Sequence, residues 1–197
     1  MNARKTIIML GSLFVAGIAA QAQGGLLLNS SGKVEVLEIV KMDSLTKDEL
    51  FQRAVTFFND RSDPNFKLLS VEKDSVNGKM KGDFRFIVYE QTGVLKKIQG
   101  AVSYSLALEV KDGKYRYDFT GFVYHYYAQS RNYQMVDTGK RKMLEDAKAT
   151  GWQKAWNHCR STVASKVKTQ ITSIKAAMAT KRSSSAIAAM ESKKNDW

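Results

Sequence analysis

The chain has 197 residues, 31 Lys and Arg against 19 Asp and Glu, and a net charge of +12, with one cysteine and two histidines. A chain of this length buries a proper core without metals or disulfides, a single cysteine excludes an intramolecular bridge, and two histidines argue against a rich transition-metal site. The charge is uneven: residues 23–139 carry 16 basic and 15 acidic side chains, whereas residues 140–197 carry 13 and 4, so the basic C-terminal third is what needs explaining.

Residues 1–22 read as a secretory signal peptide. Arg4 and Lys5 give a positive n-region, Thr6 to Ala19 a short apolar h-region, and Ala20-Gln21-Ala22 the small residues of a cleavage site, which places the cut before Gln23. The apolar run is short for a membrane span, and a polar stretch follows it. The expected location is therefore periplasmic or secreted, and nucleic acid is a poor partner for such a chain. Residues 23–32 form a lead-in, 33–180 a single domain, and 181–197 a basic tail expected to fray.

Lys33 to Val40 alternates with a slip between Val36 and Leu37, as a bulged strand does. Leu45 to Asn59 is a helix with a complete start. Thr46 caps it, Glu49 sits three residues on, and Leu45 can pack on Leu50. Leu50, Phe51, Ala54, Val55, Phe57 and Phe58 make its apolar face. Asp63-Pro64-Asn65 then turns the chain.

Two hairpins follow. A two-residue turn at Asn77-Gly78 sets Val76 opposite Lys79, Asp74 opposite Lys81, Val71 opposite Phe84 and Leu69 opposite Phe86, with Glu72 facing Asp83. A turn at Asp112-Gly113 sets Val110 opposite Tyr115, Leu108 opposite Tyr117 and Leu106 opposite Phe119, while Glu109 meets Arg116 on the other face. Strands are expected near 66–74, 79–89, 98–111 and 114–126, in an antiparallel sheet with one dry and one wet side. The wet side carries Lys81, Asp83, Arg85, Ser103, Ser105 and Glu109, and a bulge at Gly121 absorbs a slip in the aromatic phase.

A polar loop is expected over Ala128 to Val136, after which Asp137 or Thr138 caps a long helix. Gly151 leaves open whether 140–150 belong to it. Trp152, Trp156, Cys159, Val163, Val167, Ile171, Ile174 and Met178 form its apolar band, Arg160 intrudes into that band, and Lys154, Lys168, Lys175 and Lys181 line one flank.

The segments LTKDELFQRAVTFFND, NGKMKGDFRF and AVSYSLALEVKDGKYRYDFTGF resemble the bacterial family called domain of unknown function 4468, with a TBP-like fold, over roughly residues 33–125. EVKDGKYRYDFTGF is the most specific piece. The resemblance implies an α+β fold in exported proteins of Gram-negative bacteria. Its antiparallel, mostly meander sheet carries two helices on one face in the order β-α-β-β-β-β-α, and here the last helix is long and basic. It brings no established activity and no catalytic motif, and TBP-like describes topology rather than DNA binding.

Candidate chemistry is sparse. Tyr124, Tyr126, Tyr127, Tyr133 and Trp152, with His125 and Trp156 nearby, are the candidate binding surface; a sheet end packed under the last helix is the plainer account. The tyrosines of KDGKYRY are expected in the core. His158 and Cys159 are consecutive on a helix, about 100° apart, and poorly placed to pair. Asp43-Ser44-Leu45 and Asp74-Ser75-Val76 resemble a three-residue O-glycosylation signal. No cofactor is expected. The expectation is a non-enzymatic envelope module that binds a protein or other ligand. A second reading sets the lysine flank against an anionic membrane surface or another polyanion, and an enzyme with an unrecognised site ranks third.

Overall fold

The computed structural model describes residues 28–60, 63–90, 97–146 and 153–180. The expected signal peptide and tail lie outside the described residues, as do Trp152 and Lys181. Strand β1 (Val36–Lys41) leads into helix α1 (Lys47–Asn59). Strands β2 (Lys67–Asp74), β3 (Lys79–Tyr89), β4 (Ile98–Lys111), β5 (Lys114–Gln129) and β6 (Met135–Met143) follow, and helix α2 (Gln153–Ala179) closes the fold. The sheet is antiparallel in the order β1-β5-β4-β3-β2, with β6 also pairing β5.

Helix α1 starts as its sequence dictates. The Thr46 hydroxyl accepts from Glu49 N, and Glu49 Oε2 accepts from Thr46 N at 3.1 Å. Leu50, Phe51, Ala54 and Phe58 are buried against the sheet. Close approach needs Gly82 beneath them, since a Cβ there would lie 2.6 Å from Phe58 Cε1. The helix start is tied to both hairpin turns: Lys47 N donates to Asp112 Oδ1 at 2.7 Å, and Lys47 Nζ to the Val76 carbonyl at 2.7 Å.

The Asp112-Gly113 hairpin has the expected register, with Val110 opposite Tyr115, Leu108 opposite Tyr117, Leu106 opposite Phe119 and Glu109 opposite Arg116. The first hairpin does not. Asp74 pairs with Lys79, Glu72 with Lys81, Val71 with Gly82 and Ser70 with Asp83, around a four-residue turn at 75–78. The cause is Asp74, whose carboxylate accepts from Asn77 N at 3.0 Å and from Asn77 Nδ2 at 2.7 Å, widening the turn by two residues. Glu72 and Asp83 therefore do not face each other. A further register shift between Leu68 and Ser70 puts Leu68 opposite Phe84.

The bulge at Gly121 is present: Ser105 pairs with Thr120 and Ser103 with Val123, with Gly121 at φ +66°. It keeps both Phe119 and Phe122 in the core. Tyr104 is stacked between Phe84 (centroids 5.7 Å apart) and Phe122 (5.3 Å).

The expected loop and helix start after β5 are wrong. Residues 135–143 form a sixth strand. The acceptors read as a helix cap serve a bulge inside that strand instead: Gly139 N donates to Asp137 Oδ1 at 2.9 Å and Lys140 N to Thr138 Oγ1 at 3.3 Å. The chain folds back there through Tyr133, a non-glycine residue at φ +60°.

Helix α2 lays Trp156, Cys159, Val163, Val167, Ile174 and Met178 on the same sheet face as α1, with Arg160 and Gln170 buried among them. The Tyr104 hydroxyl donates to Gln170 Oε1. At the far end, Arg53 Nη1 donates to the Met178 carbonyl, which joins the two helices. Both helices thus cover one side of the sheet and leave the other to the site.

Candidate functional site

The uncovered face is assembled from residues that alternate with the core. One row crosses it on five strands. Lys67 on β2 is the Cα partner of Arg85 on β3, Arg85 of Ser103 on β4, and His125 on β5 of Arg141 on β6. Ser103 Oγ and His125 Nε2 are hydrogen-bonded at 2.7 Å. His125 Nδ1 lies 3.4 Å from Asp137 Oδ2, and Arg141 Nη1 donates to Asp137 Oδ1 at 2.8 Å. Arg85 Nη2 is 3.5 Å from His125 Nδ1.

Serine, imidazole and carboxylate stand in the order used for nucleophilic hydrolysis. The surroundings differ from such a site. β4 lies between β3 and β5, so its amides serve those ladders, whereas an oxyanion needs donors aimed at it. The Arg85 and Arg141 charges both act on the imidazole.

His125 is 5 % exposed, and burial, with the Arg85 and Arg141 charges, holds its pKa below the ordinary 6.5 against the opposing pull of Asp137. Asp137 is itself drawn down to about 2, first by the Gly139 amide and then by Arg141. An unfolded histidine takes its proton as pH falls through about 6.5, while the folded one resists it. Stability from this group is thus present above that value and lost as pH falls toward the lowered folded one. Thermal melts across about pH 7 to 5 should fall more steeply for the wild type than for His125→Gln; equal slopes reject this role.

Toward the other end of the face, Glu72, Lys79, Lys81, Ala107, Glu109 and Asp118 line a shallow depression of about 390 Å³. Asp83 beside it accepts from Ser105 Oγ at 2.6 Å and Ser70 Oγ at 2.7 Å, which holds its carboxyl below the ordinary range. Burial raises Asp118, whose Oδ1 has no hydrogen-bond donor.

Among the described residues, the tyrosines singled out by sequence do not form one platform. Tyr124 is buried, with its hydroxyl donating to the Gln99 carbonyl at 2.8 Å and its ring edge-on to Trp156, so it belongs to the core and not to a binding surface. Tyr126 packs on that core, Tyr127 is half-buried opposite Asp137, and Tyr133 is 85 % exposed at the hairpin tip. Of the lysine flank, Lys154 and Lys168 are exposed, while Lys175 Nζ donates to Glu38 Oε1 at 2.8 Å. Glu38 also accepts from the Tyr117 hydroxyl, so Lys175 ties α2 to β1 and β5. Cys159 is fully buried, its thiol pushed up to about 12 by desolvation, and His158 Nε2 donates elsewhere, to the Tyr89 carbonyl at 2.9 Å. Ser44 and Ser75 are exposed in turns at the same end of the sheet. Among the described residues no three metal-ligating side chains cluster, and no helix is long and apolar enough to cross a membrane.

Residues 37–125 match the family described as Domain of unknown function (DUF4468) with TBP-like fold. That stretch of the chain is similar to the DUF4468 family. A crystal structure of a DUF4468 family protein from Bacteroides ovatus superposes with a TM-score of 0.58 at 12 % identity, over 80 % of this chain and 92 % of that one. A TBP-like protein from Parabacteroides distasonis gives 0.58 at 15 % identity, over 80 % and 99 %. These likenesses concern the fold. No curated protein matches the chain. The DUF4468 match ends at His125, so Asp137 and Arg141 of the polar row lie beyond it.

Proposed function

We propose that this protein is exported with a cut before Gln23 and acts in the envelope as a binding module, without catalysis, through the open face of its sheet. The observation that carries this reading is the one-sided fold: α1 and α2 share one layer, and half-buried polar groups and a 390 Å³ depression occupy the other. Partially desolvated polar groups on a rigid sheet are preorganised for recognition, with little ordering cost left at association.

A photocrosslinking amino acid at Ala107, inside the depression, tests this in the native host, against the same residue at exposed Thr172 on α2. Discrete adducts from Ala107 alone, on a chain that begins at Gln23, are expected. Absence of adducts, or equal adducts from both positions, rejects the surface, and a chain retaining residues 1–22 rejects cleavage. Labelling of Ser103 by a fluorophosphonate would overturn the non-catalytic reading.

A further inference from the structure

We infer that Lys67 and Arg85 form a binding subsite for a single oxyanion group, a carboxylate or a phosphoryl group, on the open sheet face. This deepens the binding reading above and rests on it. The first observation is the register. Lys67 and Arg85 are direct Cα partners across β2 and β3, so two like charges leave the sheet on the same side, about 5 Å apart at their origins. Such a pair is destabilising unless something anionic lies between its members.

The second observation is that no acid answers them. Among the described residues neither Lys67 nor Arg85 has a carboxylate partner, although Lys79, Arg116, Arg141, Lys142 and Lys175 all do. The nearby acids are engaged elsewhere. Asp83 takes the hydroxyls of Ser70 and Ser105, and Asp137 takes Arg141. Third, Arg85 Nε is shut off from solvent with no acceptor among the described residues, and Arg85 Nη2 lies 3.5 Å from the His125 ring. A half-buried guanidinium left in this state is costly.

The geometry around it suits an oxyanion. The guanidinium fork offers parallel N–H donors that match two oxygens of a carboxylate or phosphate, and the Lys67 ammonium supplies a second charge from the side. Ser103 and His125 brace the other flank. Ser103 Oγ and His125 Nε2 are engaged with each other at 2.7 Å, and burial together with the Arg85 charge disfavours the charged form of the ring. Asp137 Oδ2 approaches the same His125 Nδ1 at 3.4 Å, but that carboxylate is taken by Nη1 and Nη2 of Arg141 and makes no ion pair with Arg85.

The test uses NMR of the 15N-labelled protein, following the Arg85 Nε–Hε resonance while acetate or inorganic phosphate replaces chloride at constant ionic strength. A saturable shift is expected with at least one of the two anions. In Arg85→Gln, where that resonance is absent, the backbone amide shifts of Lys67 and Ser103 are followed instead, and binding should weaken at least about tenfold, the scale of a charge-assisted hydrogen bond. Lys67→Gln, at an exposed edge position where the fold is not at risk, should weaken it several-fold, while Lys154→Gln on α2 should change nothing. Saturation by acetate alone assigns a carboxylate, and by phosphate alone a phosphoryl group. A linear drift matching chloride, or affinity unchanged in Lys67→Gln and Arg85→Gln, overturns the subsite. Crosslinks from Ala107 with no anion response leave the face a binding surface without this contact, so the two readings fail separately.

Discussion

Gly100→Ala should cost the fold about 3 kcal/mol, toward the upper end for overpacking a well-filled core. A Cβ at this position would lie 2.5 Å from Tyr124 Cζ and 2.6 Å from the backbone oxygen of His125. The tyrosine ring can be pushed only at the expense of its hydroxyl bond to Gln99 and its packing on Trp156. The His125 oxygen cannot be pushed by any side-chain rotation, because it belongs to the neighbouring strand of the ladder. Relief requires β4 and β5 to separate locally. In a domain of this size the loss corresponds to a melting-point drop of roughly 6–12 °C. Tyr124→Phe in the same background should recover only a small part of it, since the backbone clash remains. A double variant that melts like the wild type would show that the obstacle was the phenol alone.

Trp156→Ala should be more damaging still, about 4 kcal/mol in urea unfolding. The indole is 4 % exposed and closes the end of the sheet between β5 and α2. Its Nε1 donates to the Asp146 carbonyl at 2.9 Å, which tethers the segment after β6 to the helix. Its face carries the Lys142 ammonium 4.9 Å from the ring centroid, on a side chain that is 7 % exposed. Removal leaves a cavity and takes the π-face from a cation that is already largely out of water. Trp156→Phe keeps most of the buried area and a ring for Lys142 but no N–H, so a loss of about 1–2 kcal/mol is expected there. Equal losses in the two variants would place the effect in the lost N–H rather than in the filled volume.

The legible parts of this chain are those where two independent constraints agree. The hairpin at Asp112-Gly113 satisfied its apolar face and its Glu109–Arg116 pair with one register, and that register is observed. The capping box of Thr46 and Glu49 is likewise local and complete. The hairpin at Asn77-Gly78 offered only its apolar residues, and these misled, because Leu69 and Val71 are exposed at 46 % and 45 % on an edge strand. Nothing in hydropathy reports that Asp74 will wrap the turn. Strand β6 was hidden for a related reason. An edge strand of sequence MVDTGKRKM has almost no apolar alternation, and its bulge uses the same Asp and Thr acceptors as a helix cap. Missing β6 also hid the partners of His125, since Asp137 and Arg141 come from that strand. The signal that was available is Gly139 directly after Asp137-Thr138, which favours a turn or bulge over the first turn of a helix.

Strand β5 pairs on one side with two short strands laid end to end, β1 against 114–119 and β6 against 123–129. The seam falls at the Gly121 bulge, and there Leu144 N donates to the Phe122 carbonyl at 3.1 Å. The outermost backbone on this side is therefore divided into pieces of six and nine residues, the second broken by its own bulge. Such fragments are poor templates for recruiting a foreign strand. The opposite border, β2, has its own register shift after Leu68 and carries Lys67, Glu72, Lys73 and Asp74 along its eight residues. A protein that leaves a whole sheet face bare thereby discourages runaway self-assembly at both of its borders, by segmentation on one and by charge on the other.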